Sequence, residues 1–360
     1  MKKRLPQGFA VLAFAAGLAG WSFGATDLRF GFSLSGGLSR IDGGDFNRAI
    51  RDRNAWVADS NDYENENLYA IDWKEMSWLP KIGGEINLRI GRYFGIGAGA
   101  EYIRRTNPGT IEHGTTTSST FWYGVYYYKL NEEIYDATVT ISQTLTVVPL
   151  TLSLYGFLPL GPGVEAYVKL GGGVYLGKLT SDWALASTTI ANENYYWSSG
   201  TPFPPHYHVR IDGTEEESWE ATSTAWGLHF GAGFCFNLSR GIALFGETFY
   251  RLVNFAEWKG SGGWDVEYDQ SWGYTDSTEP VNLPESDSFS VSGSTSGKLW
   301  FYEMIANELE TGVYGEYGLY ENKPQEGYFI KNARPAEINL NGFTFKVGIR
   351  IFFGVGGGIR

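Results

Sequence analysis

From Trp226 to Phe236 every second residue is apolar: Trp226, Leu228, Phe230, Ala232, Phe234 and Phe236. Between them stand Gly227, His229, Gly231, Gly233 and Cys235, so the repeat is two residues and the pattern predicts a β-strand with two unlike faces. After "NLSRG" the alternation resumes, with Ile242, Leu244 and Leu252 on one side and Glu247 and Arg251 on the other. The same period recurs along the chain. "DLRFGFSLSGGLS" sets Leu28, Phe30, Phe32 and Leu34 against Arg29, and "KIGGEINLRI" sets Ile82, Ile86, Leu88 and Ile90 against Glu85, Asn87 and Arg89. Beyond "GRY", Phe94 to Tyr102 opposes Gly95, Gly97, Gly99, Glu101 and Arg105. "TVTISQTLTVVPLTLSLYGFL" changes phase at Pro149, which predicts a bulge there. After "PLGPG", Val164 to Leu176 opposes Glu165, Tyr167 and Lys169. The last segment sets Phe343, Phe345, Val347, Ile349, Ile351 and Phe353 against Thr344, Lys346 and Arg350.

That makes eight alternating segments, and their connections fall into two classes. "GRY", "PLGPG" and "NLSRG" are short, whereas the linkers at about 42–80, 106–137, 180–222 and 254–339 are long. Short turns at one end and long loops at the other predict an all-β, eight-stranded antiparallel up-and-down transmembrane β-barrel with four long extracellular loops. Within the loops, Asp45 as N-cap with Phe46, Ala49, Ile50 and Trp56 on one side predicts a short amphipathic helix. "STFWYGVYYYKLNEEIYDATVTISQTL" predicts a hairpin that prolongs the third and fourth strands, and Ser/Gly-rich "PESDSFSVSGSTSG" predicts a mobile stretch.

The charges decide which face is the interior. A single Arg or Lys facing lipid at mid-depth costs about 2–4 kcal/mol. Arg29, Glu85, Arg89, Glu101, Arg105, Glu165, Lys169, His229, Glu247, Arg251, Lys346 and Arg350 are therefore placed in the lumen, and Trp226, Phe230, Phe234, Phe236, Phe343, Phe345 and Phe353 on the lipid face. Buried charges need partners, and a narrow lumen is filled by side chains, so a structural network outranks a conducting or catalytic role. Glu165 with Glu247 could do acid–base work, and His229 beside Glu247 is the best catalytic-looking pair. No inward serine is placed with any specificity to serve as nucleophile, so no catalytic set is assigned. His206 and His208 lack further ligands, so no metal site is assigned. No phosphate or dinucleotide fingerprint appears, and no cofactor is expected. Cys235 reads as a small filler.

Composition supports this picture. Gly 48, Tyr 23, Phe 23 and Trp 13 suit curved sheet between apolar and wet surroundings. Lys2, Lys3 and Arg4 followed by an apolar stretch from Phe9 and small residues near Gly24 and Ala25 predict a signal peptide over 1–25, with one domain over 26–360. The formal charge of −12 argues against nucleic acid as partner, and a lone cysteine excludes an intrachain disulfide.

The stretches "FGFSLSGGLSRIDGGDFN", "VVPLTLSLYGFLPLGPGVEAYVKLGGGVYLGKL" and "IALFGETFYRL" resemble the small bacterial outer-membrane β-barrel proteins: the OmpA transmembrane domain, OmpX and, nearest, OmpW. Phe352-Phe353 followed by "GVGGGIR" departs from that family, whose last strand usually ends at a terminal aromatic. The resemblance implies a non-enzymatic outer-membrane protein, either a narrow porin-like conduit for small or hydrophobic molecules or a structural envelope protein. It implies outer-membrane lipid and lipopolysaccharide as surroundings, periplasmic chaperones and the barrel-assembly machinery as partners during insertion, and a monomer. The alternative is surface recognition or adhesion of an extracellular ligand through the acidic, aromatic loops.

Overall fold

The computed structural model describes residues 28–64, 69–125, 127–239, 241–276, 278, 282–305 and 313–353. The expected signal peptide and the C-terminal "GVGGGIR" lie outside the described residues. The elements in chain order are β1 (Leu28–Arg40), α1 (Asp45–Glu64), β2 (Tyr69–Trp73), β3 (Trp78–Ile90), β4 (Phe94–Tyr123), β5 (Tyr127–Gly161), β6 (Val164–Trp197) and β7 (His206–Asn237). There follow β8 (Ile242–Phe255), β9 (Lys259–Thr275), β10 (Glu285–Ile305), β11 (Val313–Tyr320), β12 (Ile330–Pro335), β13 (Ile338–Asn339) and β14 (Gly342–Phe353).

All fourteen strands belong to antiparallel pairings, and eight of them close a ring: β1, β3, β4, β5, β6, β7, β8 and β14, with β14 returning to β1. This corrects the expected eight-stranded barrel with four long loops. Most of what the sequence assigns to loops is strand. β4 and β5 stay paired up to Tyr123↔Tyr127, and β5 and β6 up to Tyr127↔Trp197. The 254–339 segment holds β9 to β13, and "PESDSFSVSGSTSG", expected to be mobile, contains the start of β10, paired with β9 from Glu285↔Trp272 onward. β7 changes partner along its length. Its lower half, from Gly227 to Asn237, pairs β8 within the ring, while its upper half, from His206 to Thr222, pairs β9.

The phase change at Pro149 has a different cause from the predicted bulge. The register is continuous through it, from Val148↔Leu176 to Leu150↔Val174. Ala100↔Leu150 and Ile103↔Val147 also share one register, with the pairing to β4 interrupted between them where proline has no N–H to give. Odd-numbered residues of β5 face inward on both sides of Pro149. What inverts is the chemistry of the two faces. Below Pro149 the outward residues are Leu150, Leu152, Leu154 and Leu158, and the inward ones Thr151, Ser153 and Tyr155. Above it Thr138, Thr140, Thr144 and Thr146 point out, and Val139, Ile141, Leu145 and Val147 point in.

Neighbouring strands invert at the same level. Thr224↔Leu176↔Val148 lies at the top of the apolar belt, and Thr222↔Lys178↔Thr146 is the first polar outward row above it. On β7 the belt runs from Trp226 to Phe236, about 33 Å along the strand at 3.3 Å per residue. Tilted by about 40°, that row stands about 25 Å tall, the height of the apolar band on membrane barrels. Above the belt β5 continues from Thr146 to Tyr127, about 60 Å of strand.

The upper mouth of the ring is packed. Ile103, Val147, Leu145 and Leu179 from the wall meet Phe46 and Ile50 of α1, and Phe255, Trp258, Phe301 and Leu340 join the same buried cluster. The helix extends beyond the predicted stretch, to Glu64, and buries Phe46, Ala49 and Ile50 of its predicted face, while Trp56 is half-buried. Gly43 and Gly44 precede it with positive φ, which lets the chain turn from β1 into α1. Asp45 anchors the helix start: it accepts from Arg334 at 2.6 Å and from the Glu337 N–H at 2.8 Å. Asp45→Ala is expected to weaken this attachment by about 2 kcal/mol, since hydrogen bonds to a charged group are worth about 1.5–3 kcal/mol. Hydrogen exchange checks it: α1 amides should exchange roughly tenfold or more faster while those of β6 keep their protection.

Candidate functional site

The polar interior of the ring is the first candidate, and its charges are arranged in layers. Nearest the short turns, Arg89 grips Glu165 with two bonds of 2.8 and 2.9 Å and lies 4.5 Å above the Phe157 ring. Arg350 in the same region has no ion pair among the described residues. Its guanidinium instead sits 5.1 Å from the Phe245 ring and 5.7 Å from that of Tyr167. Cys235 is buried there among Tyr155, Phe157, Tyr167 and Phe245.

One layer higher, Lys169 bridges Glu85 at 2.9 Å and Glu247 at 3.4 Å, and Lys346 meets Glu247 at 3.1 Å. The Tyr167 hydroxyl donates to Glu247 at 3.0 Å, and that of Tyr155 donates to Glu85. Above them Glu101 accepts from Lys81 at 2.8 Å and Arg251 at 2.7 Å, with Lys346 at 4.0 Å. The apolar mouth cluster follows directly, with the Tyr175 ring 5.4 Å from Arg251. Nearly every cation is matched by a carboxylate drawn from a different strand, so the network ties the wall together across the ring. Its side chains are out of solvent: Glu247 is 0 % exposed, Arg251 2 % and Lys169 4 %.

The sequence-assigned residues divide as follows. Glu85, Arg89, Glu101, Glu165, Lys169, His229, Glu247, Arg251, Lys346 and Arg350 come together inside the ring. Arg29 lies on the same face opposite Arg89, half-buried at the turn end. Arg105 does not join them. It is exposed where β4 has passed its last β3 pair, Lys81↔Ile103, and has not reached its first β2 pair, Trp73↔Gly109. Trp226, Phe230, Phe234, Phe236, Phe343, Phe345 and Phe353 all point outward and are exposed. Glu165 and Glu247 occupy different layers with different partners and form no carboxylate pair.

His229 has a neighbour that sequence reasoning missed. Ser153 Oγ lies 3.0 Å from His229 Nε2, and both side chains are buried. The two are separated by β6, where Gly171 stands opposite both. The imidazole lies over Gly171, so a side chain there would meet the ring at 2.6 Å. The signal was Gly171 itself: an inward glycine between two polar residues on flanking strands lets them touch. His206 and His208, expected on a loop, are buried at the start of β7. The Tyr195 N–H donates to His206 Nδ1, and His208 Nδ1 is 2.8 Å from Asn192 Oδ1. Burial and then the adjacent His208 hold the His206 imidazole below its ordinary range. Among the described residues no group of three His, Cys, Asp or Glu could hold a metal ion.

No family model and no curated protein matches the sequence. Among solved structures, the chain is similar to the outer membrane protease OmpT of Escherichia coli, at 10% identity and a TM-score of 0.27 over 91% of this chain and 96% of that one. It is also similar to the ferric yersiniabactin uptake receptor FyuA of Yersinia pestis, at 11% identity and a TM-score of 0.11 over 91% and 80%. Values this low transfer neither activity nor site to this chain.

Proposed function

We propose that the chain is a non-enzymatic outer-membrane protein whose ring sits in lipid and whose prolonged sheet is a surface recognition element. The observation that carries this reading is the inversion of both faces at one level. An outward leucine row over an inward charged row suits lipid outside, and an outward threonine row over an inward apolar core suits water outside. The expected signal peptide agrees with export. Kinship to OmpW relatives is proposed for the ring portions of the strands alone. Lipid and lipopolysaccharide contact is assigned to the belt, insertion to the chaperone and assembly route common to such proteins, and the working state to a monomer.

A narrow conduit ranks second. An ion crossing the ring would have to displace the Glu247 and Glu101 layers and then the apolar mouth cluster. The His229–Ser153 contact is buried between those layers, which favours a packing role.

Trp226, 78 % exposed on the belt, supplies the test. In vesicles with brominated acyl chains its fluorescence should be quenched, and Trp226→Phe should remove a large part of the quenching. Equal quenching in both proteins would refute a lipid-facing belt. In planar bilayers the refolded protein should give no unitary conductance steps; regular steps would restore the conduit.

A further inference from the structure

Above the ring, β10 is paired on one side only. From Glu285 to Lys298 it follows β9 in unbroken register, and β11 joins its other side only from Lys298↔Tyr320 downward. Along Ser288 to Ser294 no strand among the described residues takes that second side. The direction of the backbone groups there follows from one residue lower down. The Leu299 N–H donates to the Trp258 carbonyl and the Leu299 carbonyl accepts from the Ala336 N–H, so odd-numbered residues of β10 bond toward β9 and β12. Even-numbered residues point their N–H and C=O the opposite way. The Ser288 N–H accordingly donates to the neighbouring Asp287 carboxylate at 2.9 Å. Below it Ser290, Ser292 and Ser294 aim their donors and acceptors at the open side.

A strand left open in this way is ordinarily blunted by lysine, proline, a bulge or a covering segment. From Ser288 to Ser296 the chain reads SFSVSGSTS, without lysine or proline, and its register with β9 has no bulge. Its two faces are instead ordered by chemistry. Inward stand Phe289 and Val291, 58 % and 38 % exposed. Outward, every even position from 286 to 296 is an exposed serine. Behind three of these serines β9 carries exposed acids, in the rows Ser288↔Asp269, Ser290↔Glu267 and Ser292↔Asp265. None of the three acids has an ion pair among the described residues. Neighbouring strands lie about 4.8 Å apart, so a lysine or arginine on one further strand would pass over the short serine to the acid behind it. β4 also has an open side, above its last β2 pair, Tyr69↔His113. The outward residues behind that one are Asp136, Ile134, Glu132 and Leu130, apolar at every second place.

We propose that the open side of β10 captures an extended segment of another polypeptide as an added antiparallel strand, basic at its outward positions and apolar at its inward ones. Ser290, Ser292 and Ser294 supply the main-chain hydrogen bonds. Asp265, Glu267 and Asp269 select the cations, and Phe289 and Val291 the apolar side chains between them. A sugar or a free polyamine meets one of these three sets, whereas a strand meets all three with the same period of two residues. The site deepens the recognition reading and rests on it.

The test uses the full chain refolded in detergent, titrated by calorimetry with a capped octapeptide of alternating lysine and valine. It should bind saturably at one site per chain. Its lysines would lie opposite the serines, with their backbone N–H groups facing β10. Methylating the lysine backbone nitrogens should therefore weaken binding tenfold or more, and methylating the valine nitrogens less than threefold. Exchanging lysine for glutamate should abolish it. On the protein, Ser290→Pro takes a donor from the open side and none from the ladder with β9, and should cost tenfold or more, against less than twofold for Ser290→Ala. Binding of no peptide, equal binding of the two methylated peptides, or equal binding of the lysine and glutamate versions would each overturn the proposal. Peptide-free dimers that Ser290→Pro disperses would do so too, because the occupant would then be a second copy of the chain. The methylated pair needs no variant and decides the matter should Ser290→Pro fail to refold. Insertion into vesicles, scored on the same preparation, is independent: inserted protein that binds no peptide refutes the added strand alone, and protein that binds but does not insert refutes the membrane reading alone.

Discussion

Glu247→Ala is expected to lower the unfolding free energy by about 3–5 kcal/mol, the cost of leaving a buried charge without its partner. The carboxylate is shared by two ammonium groups, Lys346 at 3.1 Å and Lys169 at 3.4 Å, and accepts from Tyr167 at 3.0 Å. Without it Lys169 retains Glu85, but Lys346 keeps only Glu101 at 4.0 Å. Neither lysine can escape to solvent, because both side chains are almost fully enclosed. The paired change Glu247→Leu with Lys346→Met should recover part of the loss, because it removes a charge of each sign and fills the space with apolar atoms. Urea unfolding of the refolded protein checks both. A single variant within about 1 kcal/mol of the parent would mean that the layer is solvated and not packed as described, since surface changes usually stay within about 0.5 kcal/mol.

The second large effect depends on level. Leu152 and Thr138 both point outward from β5, one below Pro149 and one above it. Leu152→Arg should cost about 2–4 kcal/mol, the range for a cation placed on the lipid face of a barrel near mid-depth. Thr138→Arg should change stability by no more than about 0.5 kcal/mol, as at other exposed positions. One strand, one face and one introduced residue are common to both, so the difference reports the surrounding medium alone. Comparable costs at the two positions, measured by unfolding in lipid vesicles, would remove the boundary at Pro149.

That boundary also explains what could be read from the sequence. Rows such as Trp226 to Phe236 and Phe343 to Phe353 alternate strictly, and their outward placement follows from the cost of charges in lipid. The turns "PLGPG" and "NLSRG" and the helix beginning at Asp45 were legible for equally local reasons. The upper strands were not. Their apolar residues occupy the parity opposite to that of the belt, so a reader following apolar residues sees a slip at Pro149 where the backbone has none. β9 and β10 were hidden differently: "SFSVSGSTSG" has the composition of a linker, and only its pairing with β9 makes it strand. The interior charges could be assigned to a face by parity, but their partners could not, because the contacts join strands far apart in sequence, as Arg89 with Glu165 and Arg251 with Glu101 do.

The neighbours of β1 also fix an order of events during biosynthesis. Its partner across the seam is β14, from Phe30↔Phe353 to Ser39↔Thr344, so β1 waits for a strand made some three hundred residues later. Until residues 342–353 have emerged, β1 and β8 both present bare edges, each a template for pairing with another chain. Closure of the ring is therefore available only once β14 has been made. A chain cut short anywhere before β14 would still hold most of its hairpins and yet never complete its wall.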